Sequence, residues 1–159
     1  MKPSTIRVSI ERAKPEDGPS ILQLLSAAQL PVDGLINHLD SAVVARTDGR
    51  VAGCAALEIY ADGALLRSVV VDDSVNGQGI GTRLTTAALD MANALGESAV
   101  YLLTTTAESF FPRFGFVQIP RSDVPDGVQR SVEFRSACPS TAIVMRRTMN
   151  HRDFNPRKC

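Results

Sequence analysis

Thr5 to Ile10 alternates apolar and polar residues, with Ile6, Val8 and Ile10 on one side, and this period of two predicts a short strand. Pro15, Glu16 and Asp17 follow, a proline and two acids of the kind that open a helix. Ile21, Leu24, Leu25 and Ala28 recur at helical spacing and predict its buried face, and Pro31 breaks it. Residues 30–40 read as a loop with a short helix at Gly34 to His38. Ala42 to Thr47 and Val51 to Tyr60 read as strands joined at Asp48-Gly49, a two-residue hairpin signal. A second such signal, Asp62-Gly63, leads into a third strand, Ala64 to Val71. Helical spacing returns from Gly81 to Leu95, with Leu84, Ala88, Met91 and Leu95 as the apolar stripe and Gly96 as the stop. Ala99 to Leu103 predicts a strand, Ala107 to Phe114 a short helix ended by Gly115, and Thr141 to Arg147 a last strand. Residues 120–137 are polar and carry no assignable period.

Antiparallel hairpins in the first half and strand–helix alternation in the second predict an α/β fold. The expected sheet is mixed and mostly antiparallel, with helices on both faces. The 159 residues suit a single domain over 1–149, followed by a polar, basic tail over 150–159. Basic and acidic residues number 17 each, which argues against a broad nucleic-acid or anionic-membrane surface. Cys54, Cys138 and Cys159 are odd in number and form no C-x-x-C pair, so a zinc site or a disulfide framework is not expected. That usage fits a reduced, cytoplasmic setting. The opening residues lack the apolar core of a secretion signal, and no apolar run is long enough to span a bilayer.

Asn76-Gly77-Gln78-Gly79-Ile80-Gly81 lies between a predicted strand and a predicted helix. Glycines let such a turn bring its N–H groups against a ligand, and a helix N-terminus adds donors and a positive partial charge. The pair suits a phosphate or pyrophosphate, or simply a helix entry. A Walker A loop would need Lys and then Ser or Thr after its last glycine, and Thr82-Arg83 stands there. A dinucleotide fingerprint would need glycine at position 82.

The loop resembles that of the GCN5-related N-acetyltransferases, whose pattern is Arg/Gln-x-x-Gly-x-Gly/Ala between a strand and a long helix. Asn76, Gly79 and Gly81 fill the three defined positions, with Asn76 departing from Arg or Gln. Ala107 to Phe116, AESFFPRFGF, resembles the family's second signature, with Phe111 where a tyrosine often stands. RSVVV, YLLTTTAESFF and EFRSACPSTAIVM are further similar to a subgroup associated with arsenic-resistance operons, whose relatives acetylate amino-acid-like toxins such as arsinothricin or phosphinothricin. The resemblance runs from about Thr5 to Met149. It implies acetyl transfer from acetyl-CoA to the primary amine of a small molecule, and the homodimer that relatives commonly form. It also implies that the Val69, Val70 and Val71 backbone pairs with pantetheine. Gln78, Gly79, Gly81 and Thr82 would bind the pyrophosphate, with Asn76 and Gly77 at the rim, and Arg83 would meet a phosphate or remain solvated. Phe110 and Phe114 read as core packing.

Acetyl transfer to an amine needs a base for the ammonium proton and a donor for the oxyanion, but no covalent intermediate. Glu58, in the apolar run CAALEIYA, is the candidate base, because burial favours the protonated form of a carboxylate. Arg67, in LLRSVVV, suits a bidentate grip on a substrate carboxylate. An ion pair between Glu58 and Arg67 explains both charges equally well. Thr104 and Thr105 either cap the following helix or line the acceptor pocket, and His38 lies in the early loop that closes over the acceptor in the family. Two rivals share the cofactor site: a protein or peptide acetyltransferase, and a non-catalytic acetyl-CoA sensor, which Phe111 keeps open.

Overall fold

The structure is a computed structural model that describes residues 7–75, 77–137 and 141–149. Asn76, Cys138, Cys159, the start of the strand foreseen at Thr5 and the tail over 150–159 therefore lie outside the described residues. Among the described residues seven strands form one sheet: β1 (Ser9–Arg12), β2 (Ala42–Thr47), β3 (Arg50–Tyr60), β4 (Gly63–Val71), β5 (Ala99–Thr104), β6 (Val117–Gln118) and β7 (Ile143–Thr148). Their order is β1-β2-β3-β4-β5-β7-β6. β1 with β2, β2 with β3, β5 with β7 and β6 with β7 pair antiparallel, whereas β4 and β5 run parallel over Ala64↔Val100 and Leu65↔Tyr101.

The chain divides into two compact units, and β3 and β4 pass through both. The first unit holds residues up to Ala56 and from Ser68 to Ala88. Its core gathers Ile21, Leu25, Leu35, Leu39, Val44, Cys54 and Val70. Helix α1 (Gly18–Ala27) supplies Ile21 and Leu25, four apart on one face. Asp48 and Gly49 both take positive φ, 50° and 77°, which is the turn that continues the twist of β2 into β3. Gly53 on β3 is required by a close approach. A Cβ there would stand 2.8 Å from the Val70 carbonyl oxygen and 3.0 Å from a Leu84 methyl.

The second unit holds Leu57 to Arg67 and the chain from Leu89 onward. Here β7 pairs with β5 along six residues and with β6 along two. Its core is Leu65, Ala99, Tyr101, Val124, Val128 and Val144, with Tyr60 and Phe134 partly buried against it. The short helix α3 (Asp126–Gln129) is tied to the turn after β3, where Asp62 accepts the Gly127 N–H at 2.7 Å.

Several sequence expectations shift. Of the strand foreseen from Thr5 to Ile10, Arg7 and Val8 lie outside the ladder, and the strand runs from Ser9 to Arg12, paired with Val43–Arg46. The short helix in the early loop is a 3-10 stretch, Leu35–Ser41, entered through Gly34 at φ 75°. Ala28 is exposed, beyond the end of α1. The second hairpin turns at Ala61–Asp62. Gly63 is already in β4, where a Cβ would meet the Tyr101 ring at 3.0 Å. The long helix α2 runs Ile80–Ala94, and Leu95 is 54% exposed because it caps the helix instead of continuing the stripe. The caps there are Gly96 N–H to Asn93 O and Glu97 N–H to Ala92 O, the paired bonds of a glycine-terminated helix. Ala107 to Phe114 is a turn followed by a 3-10 stretch, Phe111–Phe114, where Pro112 interrupts α-helical bonding. Within it Phe111 is the buried ring, edge-on to Phe110 and Phe116, while Phe110 and Phe114 are half-buried. The unassigned stretch 120–137 forms a 3-10 turn, α3 and a π-helical turn, Glu133–Ala137. Elements of four or five residues are too short to leave a period in the sequence.

Candidate active site

In the first unit, β4 carries Ser68 at φ 62°, a left-handed conformation that a non-glycine residue takes at a cost. The strained backbone is held from β3: the Cys54 thiol donates to the Ser68 carbonyl at 3.1 Å. Beyond this irregularity come Val69, Val70 and Val71, of which Val70 is the most buried. The ladder to β5 covers only Ala64 and Leu65 among the described residues, so the three valines lie outside it.

The chain then passes through a 3-10 turn, Asp73–Val75, to the glycine loop. Gly77 and Gly79 have φ of 82° and 71°, values that explain glycine at both positions. Gly77, Gln78 and Gly79 are exposed, and so are Thr82 and Arg83, whereas Ile80 is buried. The Arg83 N–H is the first bonded into the helix, to Gly79 O at 3.1 Å. The amides of Ile80, Gly81 and Thr82 precede it and have no intrahelical acceptor. Three successive N–H groups at the start of a 15-residue helix are suited to an anion. His38, half-buried in the 3-10 stretch before β2, accepts a hydrogen bond from Ser41 through its carbonyl, at 3.3 Å.

In the second unit, Glu58 and Arg67 meet. Glu58 is 2% exposed and Arg67 3%. Arg67 donates from Nη1 to Glu58 Oε2 at 2.8 Å. The opposite side of the guanidinium, at Nε, faces Glu133 Oε2 at 3.3 Å. The Tyr60 hydroxyl donates to the other Glu58 oxygen. Burial first, and then this bond to a carboxylate, push the Tyr60 pKa well above its usual 10.0, so the phenol stays neutral in ordinary buffers. Two carboxylates, one guanidinium and one phenol thus share a buried cluster. Removing charges from water costs several kcal/mol per ion, and an apolar filling of similar volume is often as stable, so packing alone does not call for this arrangement.

Thr104, at the end of β5, is buried and accepts the Ala107 N–H through Oγ1 at 2.9 Å, which closes the next turn. Thr105 beside it is exposed. Tyr60 and Glu133 were not singled out from the sequence. An aromatic in a strand reads as packing, and an acid in a polar stretch reads as a solvated face. Among the described residues no helix is long and apolar enough to cross a membrane.

Comparison with known proteins bears on these features. The family described as Acetyltransferase (GNAT) domain matches residues 38–118. An amino-acid acetyltransferase of Mycobacterium tuberculosis is 33% identical over 133 residues, which cover 77% of this chain and 76% of that protein. An amino-acid acetyltransferase of Neisseria meningitidis is 28% identical over 88% of this chain, but the chain spans only 34% of its length. Among solved structures, Rv2747 from Mycobacterium tuberculosis, in complex with CoA, superposes with a TM-score of 0.76 at 26% identity, covering 89% of this chain and 99% of that one. N-acetylglutamate synthase from Neisseria gonorrhoeae, complexed with coenzyme A and N-acetyl-glutamate, gives a TM-score of 0.77 at 24% identity, over 92% of this chain and 36% of that one. That second likeness speaks for the fold alone. The strand order, the glycine turn at the head of α2 and these relatives agree: the chain belongs to the GNAT family of acetyltransferases and is an N-acetyltransferase that uses acetyl-CoA.

Proposed function

We propose that the acceptor is the α-amino group of an amino acid or an amino-acid-shaped compound, and that Glu58 takes its proton. The observation that carries this reading is the buried cluster of Glu58, Arg67 and Glu133, with side chains 2%, 0% and 5% exposed. An amino acid presents an ammonium group and a carboxylate, and the cluster holds an acceptor for the first and a guanidinium for the second. The amino-acid acetyltransferase relatives support the same class. The resemblance to the arsenic-resistance subgroup narrows it to analogues such as arsinothricin and phosphinothricin.

The chemistry follows from what an amine needs. The ammonium proton passes to Glu58, directly or through water, and frees the lone pair. The nitrogen attacks the thioester carbonyl, a C–N bond forms, and a backbone N–H holds the oxyanion. The C–S bond then breaks and coenzyme A leaves as the thiolate. The second nitrogen proton goes to that sulfur, so no protein acid is needed and a phenylalanine at position 111 is no obstacle. Acetyl-CoA would lie with its pantetheine along Val69 to Val71. Its pyrophosphate would meet the Ile80, Gly81 and Thr82 amides beside Gly77, Gln78 and Gly79, with Arg83 at a phosphate. His38, Thr104 and Thr105 are the remaining acceptor-side candidates.

Thiol release from acetyl-CoA, screened over amino acids, arsinothricin-like and phosphinothricin-like compounds, polyamines and basic peptides, tests the reading. Release with amino-acid-like acceptors is expected. Release with peptides or polyamines alone would overturn the acceptor class, and none with any acceptor would overturn the whole reading.

A further inference from the structure

Arg67 poses a steric problem for any carboxylate-bearing acceptor. Its side chain is 0% exposed, and the Nε side of its guanidinium, the side through which an arginine takes a carboxylate bidentately with Nη2, is already faced by Glu133. The Nη1 side is committed to Glu58 at 2.8 Å. The contact to Glu58 measures 2.8 Å and the contact to Glu133 measures 3.3 Å. Glu133 also begins a π-helical turn, a wide and uncommon geometry frequent at functional sites. That turn is anchored through Ser131, whose carbonyl accepts the Arg135 N–H at 3.0 Å and whose hydroxyl accepts the Phe134 N–H at 3.3 Å.

We propose that Glu133 is a placeholder for the acceptor carboxylate: it neutralises Arg67 in the resting enzyme and is displaced when an amino acid binds. This rests on the reading that the acceptor is an amino acid. The exchange trades one carboxylate for another on the same guanidinium. Glu133 swings out to solvent as the acceptor carboxylate enters, so the guanidinium faces two carboxylates before and after and is never left buried and unpaired. An amine without a carboxylate cannot make the exchange and leaves Glu133 in place. Glu133 therefore sets specificity by competition, and its removal has the opposite sign from the loss of a binding residue.

The test compares an amino acid with its carboxamide as acceptors, in the unmodified enzyme and in Glu133→Ala and Glu133→Gln, with thermal melts to confirm folding. Removing the competitor is expected to lower KM for the amino acid by about tenfold, the scale of one charge-assisted hydrogen bond, while KM for the amide moves far less. An amino-acid KM that stays constant, or rises together with the amide KM, would overturn the proposal. If neither variant folds, Phe134→Trp gives a single reporter beside Glu133, because the sequence contains no tryptophan. Saturating amino acid should shift its emission and the amide should not. An emission unmoved by the amino acid would count against displacement. If the unmodified enzyme acetylates no amino acid, both the function reading and this inference fall. If it does, and the variants leave the KM ratio between the acceptors unchanged, only the placeholder falls.

Discussion

Two clusters in this protein contain the same chemistry and differ in water. In the first unit Arg46 pairs with Glu11 at 3.0 Å and with Asp17 at 2.9 Å. In the second unit Arg67 pairs with Glu58 and Glu133. Each has one guanidinium and two carboxylates. Arg46 keeps 18% of its side chain exposed and its partner Glu11 keeps 38%, while Asp17 is buried at 6%, so the cluster is open to water on one side. It fastens β1 to β2 and to the 3-10 turn Pro15–Asp17 before α1, a structural task. The Arg67 cluster is dry, and its charges are expensive unless something uses them. The two share geometry and differ in burial, and burial is what makes the Arg67 cluster costly to keep.

The largest effect should come from Glu58→Gln. Loss of a general base lowers turnover by about 10²–10⁴-fold, with acetyl-CoA affinity intact, and a thiol-release assay reads it directly. Turnover within a few-fold of the parent would place the Arg67 cluster in the same structural category as the Arg46 one. Next, Arg67→Ala should destabilise the fold by about 3–5 kcal/mol, because two buried carboxylates lose their cation. Arg46→Ala should cost less, about 1–2 kcal/mol in the same urea titration, because Glu11 can turn to water and Asp17 keeps the Lys14 N–H. Equal losses would erase the comparison.

Gly53→Ala sharpens the contrast from the backbone side. Its Cβ collides with a carbonyl oxygen that cannot step aside, so a loss of about 1–3 kcal/mol is expected in denaturant melts. The smallest effect is an acid response of the Arg46 cluster. Burial works to raise the Asp17 pKa, but hydrogen bonds from Arg46 and the Lys14 N–H outweigh it and hold the value below the ordinary 3.8. A carboxyl with a lowered folded-state pKa gives stability that is complete above its unfolded value and lost as pH falls through the folded one. Melting temperature in the unmodified chain should therefore fall more steeply below pH 3.8 than in Asp17→Asn. Parallel curves would show that Asp17 contributes nothing through its charge.

Much of the fold was legible because its signals are local. Asp48-Gly49, the glycines of the loop and Gly96 each sit where the backbone geometry needs them, and such needs are written in adjacent residues. Glu58 and Arg67 were legible as charges inside apolar strands. Their partner Glu133 was not, because it comes from a polar stretch where an acid is ordinary and where short elements leave no period. Tyr60 was hidden for the opposite reason, as one more apolar-looking residue on a strand. Gly53 reads as a weakness in a strand until the Val70 carbonyl is seen against it. At Glu133 and Gly53, what the sequence concealed is a contact between segments distant in the chain.

Selection of the acceptor by its carboxylate is the property that the proposed roles of Arg67 and Glu133 require. The most direct measurement is kcat/KM for an amino acid against its own carboxamide in the unmodified enzyme, by thiol release from acetyl-CoA. A preference for the amino acid of at least about tenfold, the scale of one charge-assisted hydrogen bond, is the predicted result. Equal use of the two, or a preference for the amide, would contradict it.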